Sequence, residues 1–203
     1  QEASGVWVGV LPIEAVPDYR LDVTYDGHTS RADDPYRFLP TLGAVDLHLL
    51  SEGRHERLWE VLGSRTRTYD GLAGQVNGTS FAVWAPNARG VRVVAGFNHW
   101  DGTGSPMRSL GSSGVWELFI PDVGEGTHYK YAVLGRDGVW RQRADPLARR
   151  TQVPPETASI VDEAHHTWAD GEWMSRRATS APHREPMSIY EVHLGSWRSG
   201  RSY

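Results

Sequence analysis

Hydrophobic and polar residues alternate with period two through the middle of the chain. The alternation is cut at short intervals by Gly, Pro, Asn and Asp. Phe81-Ala-Val-Trp-Ala-Pro86 is one such run, and Gly90-Val-Arg-Val-Val-Ala95 is a β-branched run bounded by glycines. In Val115-Trp-Glu-Leu-Phe-Ile120, the side chains of Trp116, Leu118 and Ile120 fall on one face. In the next run Tyr129, Tyr131 and Val133 share a face and Lys130 lies on the other, because successive strand side chains point to opposite sides. Asp137-Gly138 signals a hairpin, with Val139-Trp140-Arg141-Gln142 as its return strand. Short strands at this spacing predict a mainly β protein, an antiparallel immunoglobulin-like β-sandwich over residues 68–162. Trp84 and Trp116 lie inside alternating strands and are expected in its core.

Elsewhere the pattern changes. Residues 45–62 carry Leu47, Leu50, Leu58, Val61 and Leu62 at near-helical spacing, with Gly63 as a C-cap. Gly53 interrupts them, so the connector over residues 44–67 is expected to hold two short helices. Residues 163–186 show no clean periodicity and read as a linker. Residues 187–194, Met187-Ser-Ile-Tyr-Glu-Val-His-Leu194, read as a buried strand, followed by Gly195-Ser-Trp-Arg198.

The amino-terminal stretch repeats a later one. Val16-Pro-Asp-Tyr-Arg precedes Asp26-Gly27 and Ala32-Asp-Asp-Pro35; Gly126-Thr-His-Tyr-Lys precedes Asp137-Gly138 and Ala144-Asp-Pro146. Tyr19 matches Tyr129, and the Asp-Pro pairs follow their tyrosines by 15 and 16 residues. This is an internal repeat of which the first copy keeps only the second half. Residues 1–43 are therefore expected to be a partial first sandwich that starts mid-domain and leaves a sheet edge open.

Composition narrows the function. With 203 residues, 39% hydrophobic and 23% charged, the chain is globular and has room for one or two domains. A formal net charge of −4 argues against a nucleic-acid partner, which calls for a basic surface. Cysteine is absent, which removes disulfides, thiolate metal sites and a cysteine nucleophile. No apolar run is long enough to span a membrane, so a cytoplasmic protein without a membrane partner is expected. Nine tryptophans, eight tyrosines and four phenylalanines are more than a small core hides, which points to an aromatic binding surface. Adjacent His165 and His166 lack the spacing that puts two ligands on one helical face, and Gly102-Thr-Gly104 lacks the strand-to-helix setting of a phosphate loop.

Phe81-Ala-Val-Trp-Ala-Pro86, the Gly96-Phe-Asn-His-Trp100 turn, residues 126–133 and Ala144-Asp-Pro146 together resemble the glycogen-associated carbohydrate-binding sandwich of α-amylase-superfamily enzymes. The tandem copies, Arg67-Thr-Tyr-Asp-Gly71 and Ile189-Tyr-Glu-Val-His-Leu-Gly-Ser-Trp-Arg198 narrow the resemblance to the amino-terminal region of bacterial 1,4-α-glucan branching enzymes. That family cleaves an α-1,4-glucan and rejoins the piece through an α-1,6 bond, on a (β/α)₈ barrel and without metal or organic cofactor. The resemblance makes residues 187–203 the start of that barrel, which itself needs about 250 residues. It implies that the paired carboxylates of retaining glycosidic chemistry lie beyond Tyr203, so no catalytic residue is assigned here. The implied partners are α-1,4-glucan (glycogen or malto-oligosaccharide) and the protein's own catalytic barrel domain. A stand-alone glucan-binding scaffold and the front of an isoamylase- or trehalohydrolase-type enzyme are the alternatives.

Three residues match the family's sugar-binding positions: Trp100 and Trp140, to stack on glucose rings, and Lys130, to donate to hydroxyls. The place of a later family asparagine is taken by Ser159. Register decides whether the three assemble. A two-residue Asp-Gly loop pairs Trp140 with Gly135 and turns it to the tyrosine face; a loop of odd length or a bulge is required to bring it beside Lys130.

Overall fold

The computed structural model describes residues 9–10, 12–14, 17–71 and 74–200. Val16, at the head of the first repeat copy, and residues 201–203 of the barrel-like segment lie outside these. The chain divides into two units, up to residue 163 and from residue 164 onward.

In the first unit, β1 (Leu21–Tyr25) and β2 (His28–Ala32) form a hairpin, followed by helices α1 (Ala44–Ser51) and α2 (Leu58–Val61). Then come β3 (Gly63–Gly71), β4 (Gly74–Trp84), β5 (Gly90–Ala95), β6 (Arg108–Ser109), β7 (Val115–Pro121), β8 (His128–Leu134), β9 (Trp140–Arg143), β10 (Arg150–Thr151) and β11 (Ser159–Ile160). One sheet has the order β3-β4-β7-β6, the other β10-β11-β8-β5 with β9 also paired to β8. Every pairing in them is antiparallel.

The two sheets close on a core that follows the alternation. Phe81, Val83, Leu118 and Ile120 point inward from one sheet, and Val91, Val93, Ala95, Tyr129 and Tyr131 from the other. Trp116 packs against this cluster as expected, its Nε1 donating to the Ala85 carbonyl at 3.2 Å. Trp84 does not. It lies one step beyond inward-facing Val83, so period two turns it out, and it is 53% exposed with Nε1 donating to the Ser113 carbonyl. The sandwich also begins earlier than residue 68, because residues 63–67 already belong to β3.

The connector holds two short helices. Gly53, at φ 67°, follows α1, and Gly63, at φ 90°, marks the passage from α2 into β3; both take the left-handed backbone that glycine adopts without strain. The connector covers the outer face of the β3-β4-β7-β6 sheet: Leu47, Leu50, Leu58 and Val61 pack against Leu42, Leu62, Ala82 and Val115. Buried Glu117 ties down the strap ahead of α1, accepting from the Thr41 amide at 2.8 Å and the Thr41 hydroxyl at 2.6 Å. Beside it Phe38 enters a cluster with Tyr69, Val76 and Phe119.

Residues 1–43 carry part of the repeated unit. Among the described residues they form a hairpin, turned by Asp26 and Gly27 at φ 48° and 77°, the geometry of a two-residue primed turn, and a 3₁₀ turn at Pro35–Arg37. The repeat itself is physical. Tyr19 donates to Asp34 Oδ2 at 2.5 Å and Tyr129 to Asp145 Oδ2 at 2.6 Å. In each copy the second carboxylate oxygen accepts the amide two residues on, Tyr36 or Leu147, at 2.8 Å. A tyrosine thus clamps the Asp-Pro turn twice in one chain. Among the described residues the first copy shows the hairpin and clamp without an opposing sheet.

The second unit also differs from expectation. Helix α3 (Gly171–Thr179) occupies part of the presumed linker, with Glu172 in its first turn and Arg176 and Arg177 in its last, matching the helix dipole. Residues 187–193 form no strand. They run irregularly into a one-turn helix, α4 (Leu194–Trp197). A barrel strand needs neighbours to take up its backbone hydrogen bonds, and none of the described residues pairs with this segment. Among the described residues no helix is long and apolar enough to cross a membrane.

Candidate functional site

The register of β9 decides the site. Leu134 pairs with Trp140 and Ala132 with Gln142, one residue off the pairing of a two-residue Asp-Gly loop. The Gly135 amide donates to the Val139 carbonyl, so the loop is the three residues 136–138, with Gly138 at φ 80°. A third loop residue in the left-handed region is the usual way such a hairpin closes. The slip flips every β9 side chain and puts Trp140 on the face of Lys130, away from the tyrosines. Asp137 stabilises this loop by accepting from the Val139 amide and pairing with Arg141, which holds its carboxyl down at about 2.

The outer face of the β10-β11-β8-β5 sheet therefore carries His128, Lys130, Ala132 and Leu134 along β8, flanked by Arg92 and Val94 on β5 and by Trp140 and Gln142 on β9. Lys130 and Trp140 stand four rows apart, about 13 Å at the strand rise. Lys130 Nζ donates to Thr157 Oγ1 at 2.8 Å, which steadies the ammonium and leaves N–H groups for a ligand. Trp140 remains 38% exposed.

Trp100 sits past the other end of this face. Its turn is held by Asn98, whose Oδ1 accepts from the Ala95 amide and whose Nδ2 donates to the Val93 carbonyl, both at 2.9 Å. His99 and Trp100 take left-handed backbone, φ 53° and 60°, and the Trp100 amide bonds back to the Ala95 carbonyl. An indole at such a position is uncommon, and here it is pushed outward to 40% exposure. It lines a recess of about 390 Å³ with Phe97, Asp122, Thr127 and His128. Lys130 and Trp140 thus share one outer face, while Trp100 lies beyond its end at a recess that also takes in Asp122 and Val123 from just past the end of β7.

Ser159 belongs elsewhere. It is fully buried, and its Oγ accepts the Asp145 amide at 2.8 Å. The polar group that reaches Lys130 from this segment is Thr157. Arg92, Phe97, Thr157 and His128 were not singled out from the sequence. For Arg92 and His128 the signal was available, since each shares the outward parity of its strand with the matched residues. An apolar recess of about 310 Å³ near Trp84, lined by Leu50, Leu58, Leu62 and Pro146, offers few groups to bond sugar hydroxyls. Among the described residues no cluster of three or more His, Asp or Glu is arranged to hold a metal.

Residues 61–148 match the family carbohydrate-binding module 48 (isoamylase N-terminal domain). The chain is 65% identical over 98% of its length to a protein of Thermobifida fusca named 1,4-alpha-glucan branching enzyme GlgB, of which it covers 27%. It is 58% identical over its full length to GlgB 1 of Streptomyces coelicolor, covering 26%, and 59% identical over 98% of its length to GlgB of Frankia casuarinae, covering 25%. The chain therefore spans about a quarter of the length of these curated relatives. Residues 61–148 thus match carbohydrate-binding module 48, in a chain similar along nearly its whole length to proteins named 1,4-alpha-glucan branching enzyme.

Proposed function

We propose that the outer face bearing Lys130 and Trp140, with Trp100 past its end, binds α-1,4-glucan, and that the chain is the non-catalytic part of a cytoplasmic 1,4-α-glucan branching enzyme. The parent enzyme would cleave α-1,4-glucan and transfer the segment to an α-1,6 branch point on its own catalytic barrel domain, with this face holding the polymer. The observation that carries the reading is the β9 register, which puts an open indole on the same outer face as the Lys130 ammonium, four rows along the sheet. A glucose ring has an apolar face of C–H groups and a rim of hydroxyls. Flat aromatic platforms flanked by N–H donors meet both needs without a charged groove.

Titration of the chain with maltoheptaose, followed by tryptophan fluorescence, tests this. Saturable binding is expected in the micromolar-to-millimolar range, about 4–8 kcal/mol. Trp140→Ala and Trp100→Ala should each weaken it by about 1–2 kcal/mol, roughly tenfold, with circular dichroism unchanged. A folded chain that gives no saturable signal leaves the sandwich as a spacer and ends the proposal.

A further inference from the structure

Trp140 does not stand alone on the sheet. Its partner across the ladder is Leu134, and the next strand over offers Gly90. A Cβ at Gly90 would stand 3.2 Å from Trp140 Cη2, so the bare glycine lets the indole reach across β8 onto β5. There it meets Arg92, whose guanidinium carbon lies 4.1 Å from the ring centroid. A planar cation on an aromatic face is attractive, and it takes up one of the two faces.

Arg92 is itself held in place. Gly102 crosses over its stem so closely that a Cβ there would fall 2.7 Å from Arg92 Cβ and 2.9 Å from Val94 Cγ1. Arg92 Nη1 lies 3.5 Å from Thr103 Oγ1, a long hydrogen bond, and Asp101 is close enough to feel the charge. Residues 101–103 continue directly from Trp100. Arg92 thus joins the turn that presents one tryptophan to the ring of the other.

We infer that Arg92 is a positioning residue for glucan binding: it backs one face of Trp140 and fixes the indole so that a glucose ring stacks on the other. The inference rests on the glucan-binding reading above and adds a residue to it. The ligand class is a neutral α-glucan, whose apolar ring face stacks on the indole face that Arg92 leaves open; the planar guanidinium lies flat on the opposite face, which a compact ammonium does not.

The test is a double-mutant cycle on the whole chain, titrated with maltoheptaose. Saturable binding by the unaltered chain, weakened in Trp140→Ala, is the check on the underlying reading. Arg92→Ala should weaken binding fivefold to tenfold without moving the thermal midpoint, and Arg92→Lys should restore less than half of the loss. On the Trp140→Ala background, Arg92→Ala should cost twofold or less, because its contribution passes through the ring. Unchanged or tighter binding by Arg92→Ala would mean the guanidinium is neutral or competes with sugar for the indole, and the inference falls. It falls equally if the two losses multiply independently. Absence of binding by the unaltered chain removes the underlying reading instead.

Discussion

Replacing Asp145 with alanine is expected to lower unfolding stability by on the order of 4 kcal/mol, read from urea denaturation. The carboxylate is buried and is the shared acceptor for Tyr129 and Tyr131, at 2.6 and 3.3 Å, and for the Leu147 amide at 2.8 Å. Both tyrosines are fully buried in the core. Alanine strands these donors away from water, and each costs about 1–3 kcal/mol before relaxation. Asp34, at the same place in the first copy of the repeat, makes the counterparts of two of these three bonds, to the Tyr19 hydroxyl and the Tyr36 amide, nearer the surface, where water replaces a lost acceptor. Asp34→Ala should cost about 1 kcal/mol. Equal losses at the two positions would refute the argument that burial sets the difference. The loss at Asp145 should also depend on pH. Burial raises its carboxyl above the ordinary range, with the tyrosine and backbone bonds pulling part of the way back. A group raised in the folded state stabilises fully below its unfolded pKa, and that contribution is lost as pH rises through the folded pKa. The gap between Asp145→Ala and the unaltered chain should therefore be wider in acid than at neutral pH.

That clamp was legible in the sequence only as spacing. Two tyrosines, each followed by Asp-Pro 15 or 16 residues later, suggested a duplication, and the duplicated feature turned out to be one hydrogen bond made twice. That the described residues of the first copy form a hairpin without an opposing sheet could not be read the same way, because a hairpin and half a sandwich share one local pattern. Alternation placed the core side of β4, β5, β7 and β8 correctly. Trp84 is the exception: lying within an alternating strand does not bury a side chain whose parity is opposite to that of inward-facing Val83.

The candidate face shows where local reading stops. Lys130 needed only the period of two, since Tyr129 and Tyr131 on either side of it fill the core. Trp140 needed the loop length, and Asp-Gly fits both a two-residue and a three-residue turn. The choice between them moves Trp140 from one side of the sheet to the other. Arg92 needed a contact between strands that β8 keeps apart, through a vacancy at Gly90, and no pattern within β5 encodes that neighbour. Residues 187–193 failed for the complementary reason: an apolar alternating run specifies a strand only where partners exist for its backbone.

The same logic of a vacancy filled by a neighbour governs the amino-terminal strap, and Gly78→Val tests it. Gly78 lies within β4, paired with Arg67 on β3 and Pro121 on β7. A Cβ there would run into the Ile120 carbonyl and stand 2.6 Å from Phe119 Cζ, so the Phe119 ring lies over the bare backbone. From that position Phe119 meets Phe38 at a ring separation of 4.5 Å and Tyr69 at 4.8 Å, and the Phe38–Tyr69 pair closes the trio. Valine must displace both a β7 carbonyl and the ring, with an overpacking cost of about 3 kcal/mol. The damage should be directional. The core between the sheets does not include Phe119, whereas Phe38 loses the surface it docks on. Gly78→Val is therefore expected to make the backbone around Phe38 cleavable by chymotrypsin under native conditions, well before the sandwich itself unfolds. If the strap and the sandwich instead lose protection together, Phe38 is held by Glu117 and the connector helices, and the aromatic trio is only a consequence of their packing.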